Sequence, residues 1–71
     1  MIEYAVVIEP AGANWSAYSP AVPGCVAVGD SADDCLEQMR SAIEAHFAFL
    51  REEHLPLPQP TVRVEHIAVA A

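Results

Sequence analysis

The chain has 71 residues, ten Asp and Glu against three Lys and Arg for a net charge of −7, and 54% hydrophobic residues. Disorder requires low hydrophobicity with high charge, and with only 18% charged residues the sequence is expected to fold, while its length excludes a two-domain enzyme. Three scattered arginines, Arg40, Arg51 and Arg63, cannot supply the counterion-release term that phosphate backbones demand, so direct nucleic-acid binding is not expected. An acidic module suits a basic protein partner instead, with an encounter that is steered by charge and weakened by salt, although acidic surfaces also serve solubility alone.

A domain of about 60 residues buries only about 60% of the surface its unfolded chain exposes, so a chain of this size is marginal alone. A homo-oligomer, dimer or higher, is therefore expected. Cys25 and Cys35 are too few for a secreted disulfide framework and no basic leader opens the chain at Met1, which predicts a cytoplasmic protein. No apolar run reaches the roughly 18 to 20 residues of a membrane span.

Ile2, Tyr4, Val6 and Ile8 alternate with Glu3, Ala5, Val7 and Glu9, the period of a half-buried strand. This strand is expected to end near Glu9, broken by residues 10 to 14. Trp15 to Tyr18 makes a second, antiparallel strand. Pro20 punctuates the chain, and Pro23-Gly24 has the chemistry of a type II turn, with proline presetting φ and glycine accepting a positive φ. The turn leads into a third strand, Cys25 to Val28.

Ser31-Ala32-Asp33-Asp34 places a hydroxyl three residues before a carboxylate, a near capping box opening a helix at Ala32. Its apolar stripe, Ala32, Leu36, Met39, Ile43, Phe47 and Leu50, is expected to face the sheet. Cys35, Ala42, His46 and Phe49 form a second, narrower strip that either widens the core-facing arc or pairs two copies. The helix must stop before Pro56, and alternate prolines at 56, 58 and 60 make an extended connector, whose spacing is not that of a Pro-x-x-Pro ligand. Thr61 to Val69 alternates again and makes a predicted last strand. The fold class is thus α+β, a β-β-β-α-β chain forming a four-stranded mixed sheet of order 3-2-1-4 with one helix packed on one face. The other face is left open.

No catalytic, cofactor-binding or metal-binding residues are assigned. The serines lack a Gly-x-Ser-x-Gly setting and no phosphate loop is present. Cys35 with His46 as nucleophile and base competes with the commoner role of a helical cysteine as a small buried hydrophobe. His46, His54 and His66 lack the spacings that aim ligands at one ion. Asp30, Asp33 and Asp34 could hold Mg²⁺ for nuclease chemistry, but carboxylates in a first helical turn ordinarily complement the helix dipole.

Glu3-Tyr4 with Val6 to Glu9, the run Tyr18-Ser19-Pro20-Ala21-Val22-Pro23-Gly24-Cys25, then Val28-Gly29-Asp30-Ser31 leading into a helix with Ala42 and Ala45, and the exit at Pro56 and Pro58, resemble the HicB antitoxin family. The likeness covers nearly the whole chain, residues 1–71, as a single domain. It implies a partial ribonuclease-H-like fold, a non-enzymatic role, and binding of a small basic HicA-like ribonuclease toxin whose active surface is covered. It also implies that Pro20, Pro23, Gly24, Gly29 and Asp30 set turn geometry and helix entry. Many family members carry a further C-terminal DNA-binding segment, which is not expected in this chain, whose last strand runs to its end. For partner contacts the expected groups are Glu3, Glu9, Trp15, Tyr18 and Asp34, since interfaces favour aromatic anchors and a basic partner needs carboxylates. The competing function is a solitary HicB-like domain that binds another protein or a small ligand.

Overall fold

The computed structural model describes all residues from Met1 to Ala71. Strand β1 (Val7–Ala11) and strand β2 (Asn14–Tyr18) form an antiparallel hairpin with Ala11 opposite Asn14. The loop is therefore Gly12-Ala13, where Gly12 has φ +68°, as the first central residue of a type II′ turn requires. Proline at position 10 does not end the strand where the sequence pattern placed the break. With Ala11 and Asn14 closing a two-residue loop, Pro10 and Trp15 form a non-hydrogen-bonded pair, so the absent N–H lies on the outer edge and costs the ladder nothing. The strand also begins later than its alternation predicts. Val7 pairs with Tyr18, the last residue of β2, so residues 2–6 run on without a partner.

Beyond Tyr18 the chain turns. The Ser19 hydroxyl donates to the Ala5 carbonyl at 2.6 Å, and the Cys25 N–H donates to the Val22 carbonyl at 3.4 Å around Pro23-Gly24, with Gly24 at φ +87°. This is the expected type II turn. Strand β3 (Val26–Gly29) then pairs antiparallel with β2, giving the sheet order β1-β2-β3.

Helix α1 (Ala32–Glu52) starts as its sequence signals: Ser31 is extended and its hydroxyl accepts from the Asp34 N–H at 3.0 Å. The Asp34 carboxylate reaches back to the Asp30 N–H, also at 3.0 Å, so two backbone donors at the helix entry are satisfied. The far end closes by a Schellman arrangement. His54 N–H donates to Arg51 O, Leu55 N–H donates to Leu50 O at 2.8 Å, and His54 sits at φ +57°. A side chain in that left-handed position costs about 1 kcal/mol. His54→Gly is accordingly expected to stabilise the fold by about 0.5 to 1 kcal/mol, read as a higher melting temperature.

The core between helix and sheet contains Ala17, Val22, Cys25, Cys35, Met39 and Phe47, flanked by Tyr4, Val6, Ile8, Trp15, Ile43 and Leu50. Tyr4 meets Phe47 edge to face with ring centroids 5.2 Å apart. The predicted helical stripe needs one correction: Cys35 is fully buried, whereas Leu36 is exposed. The small cysteine lies where the helix comes closest to β3, its thiol 3.8 Å from the Ala27 carbonyl, and the bulkier leucine is left at the flank. Of the second strip, Cys35 is core, Ala42 and His46 are half-buried and Phe49 is exposed.

A second correction concerns the predicted last strand. The observed sheet has three strands, all antiparallel, and no strand follows the helix. Residues 61–71 are exposed and join no ladder, and the alternate prolines 56, 58 and 60 before them favour an extended chain that requires no ladder. The α+β class and the order 3-2-1 of the first three strands stand.

Candidate protein-binding face

Strand periodicity sorts the side chains onto two faces. Ile8, Pro10, Trp15, Ala17 and Ala27 point toward α1, whereas Val7, Glu9, Ser16, Tyr18, Val26 and Val28 occupy the opposite face, which no element covers. On that open face the register lines up Val7, Tyr18 and Val26 across all three strands, with Glu9, Ser16 and Val28 in the adjacent row. Tyr18 is 45% exposed, Val26 71% and Val28 58%. An aromatic group between two β-branched residues on a rigid sheet, with a carboxylate beside it, suits a protein partner better than a small ligand, because it is flat and apolar with a polar margin.

The residues expected from sequence to touch a partner do not all gather here. Glu9 and Tyr18 share the open face. Trp15 is on the helix side, packed against the core. Asp34 is engaged at the helix entry, its Oδ2 with the Asp30 N–H and its Oδ1 3.5 Å from Gln38 Nε2. Glu3 is exposed in the unpaired N-terminal segment, away from the sheet rows. Val26 and Val28 are not singled out by the sequence because the third strand reads as a continuous apolar run, whereas Val7 already lies on the Glu9 side of the first strand's alternation. The third strand's alternation was nevertheless available: with Cys25 and Ala27 inward, Val26 and Val28 must point out.

Pro20, Pro23, Gly24, Gly29 and Asp30 lie at the turn and the helix entry. Gly29 has the most demanding role. A Cβ there would sit 2.6 Å from the Cys35 Cα and 2.9 Å from Asp34 Oδ2, so only glycine lets the first turn of α1 approach β3 this closely.

Neither cysteine is placed for nucleophilic work. Cys35 and His46 are eleven residues apart on one helix, about 16 Å along its axis at 1.5 Å per residue. Burial pushes the Cys25 thiol up from its ordinary value of 9.0, which keeps it protonated. Since the folded value is the higher one, the stability gained by keeping this thiol neutral is complete below the unfolded value and is lost as pH rises through the folded one. Urea midpoints are expected to fall above about pH 9, and a Cys25→Ala variant to lose that dependence. No group of three or more His, Cys, Asp or Glu side chains converges as a metal cage. No helix is long and apolar enough to cross a membrane.

A three-stranded antiparallel sheet covered by one helix on one side and bare on the other defines a small α+β domain that presents a sheet face. Residues 4–70 match the family described as the HicB-like antitoxin of bacterial toxin-antitoxin systems. The chain belongs to that family. It is also similar to the UPF0150 protein ssr1765 of Synechocystis sp., with 27% identity over 67 residues that cover 93% of this chain and 85% of that protein.

Proposed function

We propose that this protein is a non-enzymatic, cytoplasmic antitoxin that binds a small basic HicA-type ribonuclease toxin and covers its RNA-binding surface with the open sheet face. The observation that carries this reading is the Val7–Tyr18–Val26 row, with Tyr18 and Val26 exposed and Val7 half-buried, on a chain of net charge −7 that belongs to an antitoxin family. The two features divide the work. A toxin that grips RNA needs a basic face, which the acidic chain attracts at long range, while Tyr18 and its valine neighbours supply the apolar anchor that slows dissociation.

Carboxylates take part unequally. Glu9 is the one carboxylate within the sheet rows, and the others, including Asp33, Glu37 and Glu44 on the outer side of α1, contribute to the field without touching the anchor. Self-association belongs to the same proposal, together with a partial ribonuclease-H-like sheet in which a fourth strand joins β1 to give the order 3-2-1-4. The toxin face and the β1 edge are different surfaces, so both can be occupied at once.

The functional test follows RNA cleavage by a HicA-type toxin with increasing amounts of this protein at low and moderate salt. Cleavage is expected to stop near stoichiometric addition, with weaker inhibition at higher salt. Undiminished cleavage at excess would overturn the proposal in favour of a solitary domain with another ligand.

A further inference from the structure

The chain carries two unsatisfied halves of one interaction. One is the free edge of β1, which continues into the unpaired residues 2–6: β1 is bonded only to β2, and the outward N–H and C=O groups of Ile8 and Val6 have no strand beside them. Such an edge is a ready template for another strand. The other half is the arm that follows the proline connector. Thr61 to Val69 has the alternation of a strand, yet every one of its residues is exposed, with Val64 at 56% and Ile67 at 83%.

Geometry keeps these halves apart within one chain. The Tyr4 hydroxyl donates to the Pro58 carbonyl at 2.8 Å, which pins the root of the arm beside residue 4. From there the alternate prolines favour an extended chain, and residues 61–69 remain exposed without joining the β1 edge of their own copy. The molecule measures 49 × 27 × 20 Å with a radius of gyration of 13.9 Å, whereas a compact chain of this length has about 11 Å. The arm nevertheless belongs to the domain, because the family match runs through residue 70.

We propose that two copies of this chain exchange arms, each Thr61–Val69 segment adding as a strand to the free β1 edge of the other copy. The inference builds on the self-association in the functional proposal and names its surface. The receiving site is already shaped. Beside residues 1–6 the flank of α1 leaves an open groove of about 630 Å³, lined by Ile2, Tyr4, Val6, Leu36, Ile43 and Phe47 among others. A strand laid against the edge places alternate side chains into that groove. Val62 and Val64 are apolar on one side of the arm and Ile67 and Val69 on the other, so the added strand has apolar groups for both sheet faces. The size also suffices. Twelve groove residues and nine arm residues on each copy reach the roughly 20 residues a side of a stable interface. Exchange around a twofold axis is reciprocal and closes the pair, since each β1 edge is filled by the other copy's arm and no arm is left over.

The test uses the full chain. Isotope-labelled and unlabelled protein are mixed after denaturation and refolding, the mass is measured by sedimentation, and isotope-filtered NOEs are recorded on the same sample. The expected result is a particle of twice the 7.6 kDa chain mass, with NOEs between residues 61–69 of one copy and residues 4–9 of the other. A dimer in which arm-to-edge NOEs arise only within one chain, or are absent, overturns the exchange and leaves self-association standing. A monomer overturns both. Neither result bears on toxin binding, which is read separately by RNA cleavage.

Discussion

Gly29→Ala is expected to lower the unfolding free energy by about 3 kcal/mol, a large share of the roughly 4 to 11 kcal/mol available to a chain of this length. The added methyl meets backbone atoms of Cys35, and backbone cannot swing aside as a flexible side chain can. Relief requires α1 to retreat from β3, which opens space around fully buried Cys35 and Met39. For a domain of this size the melting temperature should drop by about 12 to 24 °C. Gly24→Ala is the comparison. Nothing lies within 4 Å of a Cβ at that position, so only its positive φ is penalised and the expected loss is about 1 to 2 kcal/mol. Thermal melts of the two variants separate crowding from backbone strain, and equal losses would show that the close approach at Gly29 is not the constraint.

Tyr18→Ala is expected to weaken toxin binding by at least about 30-fold, corresponding to about 2 kcal/mol, with little change in stability. Tyr18 occupies the middle strand of the open face, with Val7 on one side and Val26 on the other, and its partly exposed ring has no role in the helix-side core. Truncation removes the aromatic area from the centre of the surface. Phe49→Ala serves as the control, since that exposed aromatic lies on α1 rather than on the sheet face. A calorimetric titration of each variant against a HicA-type toxin reads the difference. Equal affinities for Tyr18→Ala and wild type would remove the open face from the interface.

Features written in local chemistry were legible in the sequence. Ser31 with Asp34 marks the helix entry, Pro23-Gly24 marks the type II turn, and both appear where those residues stand. The Schellman close at His54 was harder to see, because a histidine occupies the position that glycine usually signals. Features that depend on a partner were not legible. The N-terminal alternation from Ile2 is genuine, but ladder formation stops at Val7 because β2 has already ended at Tyr18. Helix phase failed for a similar reason: Cys35 and Leu36 are both apolar, and only the approach to Gly29 decides that the smaller one turns inward.

The candidate site divides along the same line. Tyr18 and Glu9 were found as an exposed aromatic and a carboxylate of an acidic chain, whereas Trp15, chosen by the same compositional argument, points to the core. Residue type alone cannot distinguish positions one apart on a strand, which face opposite ways. The register supplies what composition lacks, and it brings in Val26 and Val28. The arm Thr61–Val69 illustrates the limit from the other side. Its alternation announces a strand, while the three-stranded sheet of a single chain offers it no partner.

Amide chemical shifts of the labelled chain, followed while an unlabelled HicA-type toxin is titrated in, show whether the open sheet face is the toxin-binding surface. Tight binding is expected, with the largest changes at Val7, Glu9, Ser16, Tyr18, Val26 and Val28, and small changes along the outer side of α1 at Asp33, Glu37 and Glu44. Changes concentrated on that acidic helix face, with the sheet rows undisturbed, would contradict toxin binding at the open sheet face.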